Sequence, residues 1–254
     1  MATDTSAPRL MRTVGRLGVA AAGIVATEAA YALLRPSPEQ EEFDPSAVIG
    51  PPDGIPISIL VMGDSSCTGP GLAHPDEIWV RQTASDVADL GFLVDVDSTA
   101  VGGATVADLL ADQFARIERE RYDVALVSIG GNDVLKGSIL KTFEHDLERL
   151  VRMLDERADL VVLSGVGDIG TIPRLLPPLR DLLRARAKRF DAAHARVAEG
   201  LGVVKADQWA TAPGVFADPS IFTPDLFHPG PIGHRAWADI ATSALQPHLD
   251  RFRA

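Results

Sequence analysis

The stretch "ILVMGDSSCTGPG", residues 59–71, runs from four apolar residues directly into Gly63-Asp64-Ser65 and then a loop of small residues. An unbroken apolar run of this length reads as a strand buried on both faces, as in the middle of a parallel sheet. Such a strand delivers its last residues to the carboxyl edge, where open α/β sheets bind their ligands. A hydroxyl placed there is either turn chemistry or a nucleophile. What the rest of the chain brings to the same edge decides between the two.

Outward from this stretch, short β-rich runs alternate with longer helical patterns, the signature of a parallel sheet covered by helices. The strand candidates are residues 57–63, 92–99, 122–130, 158–165 and 201–207, with helices expected near 76–90, 105–121, 139–156, 178–199 and 231–249. In the second helix Leu109, Leu110, Phe114 and Ile117 recur at helical spacing as core, while Arg116, Glu118, Arg119 and Glu120 supply the wet side. Each chemistry-bearing cluster falls just after a strand. These are Gly63-Asp64-Ser65, "AVGGAT" (100–105), "GGND" (130–133) and, after the last strand and a Pro/Gly-punctuated loop, "DLFHPGPIGH" (225–234).

The first 56 residues differ. Arg9, Arg12 and Arg16 precede "LGVAAAGIVATEAAYALL" (17–34), an apolar stretch broken by Glu28, and "RPSPEQEEFDPSAVIGPPDGIP" (35–56) follows with six prolines and an acidic run. The composition divides the chain into an N-terminal signal or membrane-anchor segment (1–35), a Pro-rich acidic linker (36–56) and one globular domain (57–254). The basic flank suits a secretory signal. The eighteen apolar residues are barely long enough to span a bilayer, and a mid-helix carboxylate costs about 2–3 kcal/mol on insertion. A helix docked on the domain is the rival. Arginines before the stretch and acids after it favour an exported or membrane-anchored protein with the domain outside the cytoplasm and residues 9–34 at the membrane.

The chain of 254 residues carries 24 basic against 35 acidic side chains, a net charge of -11, so it repels polyanions and nucleic acid is not an expected partner. Its single cysteine, Cys67, rules out an internal disulfide and a cysteine-built metal site.

The clusters have a joint chemistry. A serine hydroxyl is a weak nucleophile until a base takes its proton, and histidine is the usual base. His228 is the candidate for Ser65. Asp225, three residues before it, is close enough to bond one ring nitrogen and leave the other facing the serine. The negative charge of a tetrahedral intermediate needs fixed donors, which the side-chain amide of Asn132 and the backbone N–H groups of Ser65 and Gly103 offer. Ser66 and Cys67 are rival nucleophiles whose plainer reading is loop packing. Asp64 and Asp133 read as backbone-fixing side chains, and His74, His145 and His194 as surface residues.

Together these residues resemble the SGNH hydrolases, or GDSL-type esterases and lipases, named for four sequence blocks. "GDSSCTG" is similar to the first, with Ser65 as nucleophile; Gly103 in "GGAT" to the second; "GGND" with Asn132 to the third; and "DLFHP" to the last. The resemblance covers residues 57–249. It departs at Ser66, where the family often has an apolar residue, and at His234, a spare imidazole near the site. It implies a flavodoxin-like three-layer α/β/α sandwich with a five-stranded parallel sheet, ordered 2-1-3-4-5 along the candidate strands. It further implies a serine esterase with a Ser65-His228-Asp225 triad, an acyl-enzyme intermediate, and no cofactor or metal. The family's substrates include lipids, lysophospholipids, aryl esters, thioesters and acetylated sugars, so acyltransferase, thioesterase and carbohydrate deacetylase remain alternatives. So does a non-catalytic lipid- or sugar-binding module, against which the intact Ser, Asn, Asp and His argue. "GGND" is also similar to the Gly-Asn-His motif of two-metal phosphoesterases, but neither Asp-x-His nor Gly-Asp-x-x-Asp occurs in the chain. Ile169, Ile172, Leu175, Leu176, Phe216, Ile221 and Phe222 lie in loops at the catalytic edge, as an acyl-binding wall or as core over the sheet's end.

Overall fold

The computed structural model describes residues 23–31, 34, 40–211 and 214–253. Six strands form one sheet: β1 (Ala47–Ile49), β2 (Ile55–Gly63), β3 (Phe92–Ser98), β4 (Tyr122–Ser128), β5 (Ala158–Ser164) and β6 (Val204–Ala206). Their spatial order is β1-β3-β2-β4-β5-β6. The five expected strands are β2 to β6, parallel and in the expected order. The sheet is nonetheless mixed, because β1 adds a sixth strand antiparallel to β3, with Ala47 opposite Val96 and Ile49 opposite Val94. β1 arises inside the stretch expected as linker. Between Pro45 and Pro51 the run Ala47-Val48-Ile49 contains no proline, so each residue keeps an N–H that a ladder can use; Val48 and Ile49 are β-branched, and the flanking prolines suit an edge position. Residues 43–46 are also tied in: Phe43 N donates to Thr68 O (2.8 Å), and Arg81 donates to the carbonyls of Pro45 (3.2 Å) and Ser46 (2.9 Å).

The principal helices are α1 (Ser65–Thr68), α2 (Trp79–Ala88), α3 (Gly131–Leu135), α4 (Leu140–Asp155), α5 (Leu179–Leu201) and α6 (Pro231–Leu245). The period-2 alternation of β2 builds the layers. Leu60 and Met62 pack with Phe143, Leu147 and Phe190 under α4 and α5. Ile57, Ile59 and Val61 pack with Trp79, Ala84, Ile240 and Leu245 under α2 and α6. On α5 the inward stripe is Ala187, Phe190, His194 and Val197, so His194 is buried and not a surface residue. Burial holds its imidazole down to about 4. His74 and His145 are exposed as expected.

Only part of the expected N-terminal segment falls within the described residues. Residues 23–31 are helical, and the Glu28 carboxylate accepts the Leu179 N–H (3.0 Å) at the amino end of α5. Among the described residues no helix is long and apolar enough to cross a membrane.

The helix expected at 105–121 is shorter and irregular, running as α over Val106–Asp108, π over Leu109–Gln113 and 3-10 over Phe114–Arg116. Its π turn carries Gln113, which is buried. The pairing of β2 with β3 stops at Val61, two residues short of the strand's end. There the Gln113 amide adds a rung of its own, donating to Gly63 O (2.8 Å) and accepting from Gly63 N (3.1 Å). Gln113→Ala leaves that buried N–H unpaired and is expected to cost about 1–3 kcal/mol of stability, read by urea denaturation. An unchanged midpoint would refute this bracing role.

Candidate active site

β2 and β4 are neighbours in space but not in sequence, and the chain leaves them in opposite directions. Their carboxyl ends therefore flank the switch point where α/β sheets place ligands. Gly63 pairs with Ser128 at that edge. Asp64 follows Gly63 and caps α1, its carboxylate accepting from Ser66 N (2.9 Å), so Ser65 opens the helix and stands at the edge. After β4 comes Gly130 at φ 113, a left-handed turn that favours glycine, and α3 then presents Asn132 at its second residue. Asn132 Nδ2 donates to Asp64 Oδ2 (3.1 Å), so one carboxylate holds both the Ser65 helix and this amide. Burial pushes the Asp64 carboxyl upward.

The Asp225-His228 loop supplies the rest. His228 Nε2 lies 3.3 Å from Ser65 Oγ, and His228 Nδ1 lies 2.7 Å from Asp225 Oδ2. The first distance is at the long end of the hydrogen-bond range. Asp225 Oδ1 accepts from Thr223 Oγ1 (2.6 Å), Phe227 N (2.8 Å) and His228 N (3.0 Å). Burial of Asp225 pushes its carboxyl upward, but the hydrogen bonds from His228, Thr223 and the two backbone N–H groups outweigh it and hold it down to about 2. Between aspartate and histidine, Leu226 has φ 60, the one left-handed non-glycine among the described residues. Its carbonyl accepts from Arg174 N (3.0 Å), and Arg174 Nη1 donates to Asp225 O (3.2 Å).

Ser65, Asn132 and His228 line one cavity of about 270 Å³, with Asp225 buried beside the imidazole. Gly103 sits apart from that lining, in a left-handed turn (φ 77) whose carbonyl accepts from Lys136 Nζ (2.7 Å). Lys136 N in turn donates to Asn132 O (2.8 Å), which links the Gly103 loop to the Asn132 helix. Ser66 also lines the cavity, but its Oγ is engaged 2.9 Å from Ser128 Oγ and not by His228, and burial pushes the Cys67 thiol up, away from the reactive thiolate. Asp133 receives Val106 N (3.0 Å), as expected of a backbone-fixing carboxylate. His234 lines the cavity but accepts Trp79 N at its Nδ1 (3.2 Å), and burial holds it down to about 3, a neutral acceptor.

The loops expected to form a wall or core do both. Ile169, Ile172, Phe216 and Phe222 line the cavity, Leu175 and Ile221 are buried, and Leu176 is exposed. Sequence reasoning missed Trp209, Phe227 and Trp237, which also line it, with Phe216 and Trp237 stacked at 5.6 Å. It missed Thr223 and Gln113 as well. Among the described residues no cluster of three or more His, Cys, Asp or Glu is arranged to hold a metal ion.

The model of the GDSL-like Lipase/Acylhydrolase family matches residues 61–236. The chain is 27% identical over 197 residues to a GDSL-like esterase of Mycobacterium tuberculosis, covering 76% of this chain and 63% of that protein. It is 28% identical over 109 residues to the esterase TesA of Pseudomonas aeruginosa, covering 43% of this chain and 54% of that one. The chain thus spans less than two thirds of the length of these curated relatives. Among solved structures, TesA superposes with a TM-score of 0.63 at 23% identity, covering 75% of this chain and 98% of that one. A mutant of Axe2, an acetyl-xylooligosaccharide esterase from Geobacillus stearothermophilus, gives 0.63 at 20%, covering 76% and 95%. At these identities the superpositions speak for the fold.

Asp225 also carries a pH signature. Its folded value of about 2 lies below the ordinary 3.8, so its contribution to stability is full well above 3.8 and is lost as pH falls from 3.8 towards 2. The size is about 2 kcal/mol. The stability gap between the wild type and Asp225→Asn is expected to hold steady above that window and to narrow within it. A gap independent of pH would show that the carboxylate is not held as described.

Proposed function

The chain belongs to the GDSL-like lipase/acylhydrolase family, and we propose that it is a serine carboxylic-ester hydrolase acting on esters with an apolar acyl chain, such as lipid or lysophospholipid esters. The observation that carries this is the line Asp225 Oδ2, His228 Nδ1, His228 Nε2, Ser65 Oγ, ending in a cavity walled by Ile169, Ile172, Trp209, Phe216, Phe222 and Trp237. Ser65 Oγ attacks the ester carbonyl while His228 Nε2 takes its proton, and Asp225 keeps Nδ1 protonated and stabilises the imidazolium. The oxyanion that forms is met by Ser65 N–H and Asn132 Nδ2, the two expected donor residues that line the cavity. Collapse expels the alcohol, which receives the proton from His228. Water activated by the same imidazole then cleaves the acyl-Ser65 ester.

An apolar wall beside the nucleophile favours long acyl chains over acetyl groups. Burial of each further methylene contributes about 0.8 kcal/mol, a gain near fourfold. In a series of chromogenic esters, kcat/KM is therefore expected to climb with chain length until the cavity is filled. A maximum at acetate would overturn the acyl assignment and favour a deacetylase. Ser65→Ala is expected to abolish hydrolysis with the fold intact and Ser66→Ala to stay active; the reverse would move the nucleophile. Asn132→Ala is expected to lower kcat by about 10²–10³ with KM little changed.

For the segment before residue 36 we propose delivery to, or retention at, a membrane, on the order of arginines, apolar run and acidic proline-rich stretch. The Glu28–Leu179 bond supports the rival of a helix docked on the domain. A chain starting at residue 36 is expected to be soluble and active, while the full chain fractionates with membranes. Aggregation of the shortened chain, or a full chain free in the soluble fraction, would decide for docking.

A further inference from the structure

Residues 40–43 touch both halves of the site. Gln40 Nε2 donates to Thr223 Oγ1 (3.2 Å), and Thr223 Oγ1 donates to Asp225 Oδ1 (2.6 Å). Two residues on, Glu42 Oε2 accepts from Thr68 Oγ1 (3.0 Å), and Phe43 N donates to Thr68 O (2.8 Å). Thr68 ends the helix that Ser65 begins. The strap thus fastens the nucleophile's helix to the loop that holds the triad's acid. Its first side chain fits because position 71 is glycine: a Cβ there would stand 2.5 Å from Gln40 Nε2.

The direction of the relay is fixed by proton count. A carboxylate only accepts, so the single hydroxyl proton of Thr223 goes to Asp225, and Thr223 meets Gln40 as an acceptor. The amide must then turn its N–H towards the hydroxyl. Thr223 in turn supplies one of the donors that keep the Asp225 carboxylate ionised and still. Resting on the triad reading above, we infer that Gln40 is a positioning residue. Through Thr223 it fixes the orientation of the carboxylate that orients His228, so the segment amino-terminal to the first strand completes the site.

Gln40→Glu tests this, since it preserves length and shape but replaces the donor with a second acceptor that competes for the Thr223 proton. Its kcat is expected to fall about tenfold with KM unchanged. The acid limb of kcat/KM is expected to move to higher pH, because a negative charge near the site favours the imidazolium. Gln40→Ala, which leaves the hydroxyl undirected, is expected to lose less. In a Thr223→Val background, Gln40→Ala is expected to cost nothing further, because the relay is already cut. Wild-type kcat and acid limb in Gln40→Glu, or full additivity of Gln40→Ala with Thr223→Val, would overturn the inference. Should Gln40→Glu fail to fold, the additivity cycle alone decides. Ser65→Ala separates the two levels: an active Ser65→Ala removes the triad reading itself, whereas an inactive one beside an unaffected Gln40→Glu removes only the role of Gln40.

Discussion

At the carboxyl end of β2 there is room for a hydrogen atom and little else. A Cβ at position 63 would stand 2.5 Å from Ser128 O and 2.7 Å from Cys67 Sγ. The close approach of β2 to β4 sets the spacing of everything beyond it, because Asp64-Ser65 leaves one strand and Asn132 follows the other. The Gln113 amide holds the opposite side of Gly63, so the strand end is gripped from both sides before the chain turns into the Ser65 helix. Ser65 owes its position to this backbone packing more than to any contact of its own side chain.

Two aspartates show how one chemical group is used in opposite ways. Asp64 is buried with few donors, and its carboxyl is pushed upward. Asp225 is also buried, but four donors surround its two oxygens, and it is held near 2. The left-handed Leu226 has a share in this. A non-glycine residue at that φ costs about 1–3 kcal/mol, and here it occupies the turn in which the N–H groups of residues 227 and 228 both reach the same oxygen. The strain is stored beside the Asp225 carboxylate that these N–H groups hold.

What was legible in the sequence was what periodicity and strand-end position express. The apolar runs located five strands, the family resemblance implied their order, and the strand ends gathered Ser65, Asn132, Asp225 and His228. Three kinds of feature stayed hidden. β1 is three residues long and lies among prolines, too short for any period to emerge. Gln113 and Thr223 act by hydrogen bonds to residues far off in sequence or across a turn, which no spacing announces. His194 sits among charged neighbours, yet its spacing to Ala187, Phe190 and Val197 marks an inward stripe that charge alone disguised. Gly103 was placed by motif, and the structure sets it on a turn outside the cavity lining, tied to Asn132 through Lys136.

The short antiparallel strand β1 has a meaning apart from catalysis. Without it, β3 would present its outer row of N–H and C=O groups to solvent, and an uncovered edge is a template on which another chain can add a strand. β1 occupies that row with three residues, while prolines on either side keep the new edge from growing longer. The chain thus carries its own stopper against sheet-to-sheet association. Proteolytic loss of this piece would show itself as a change in colloidal behaviour, with molecules joining edge to edge.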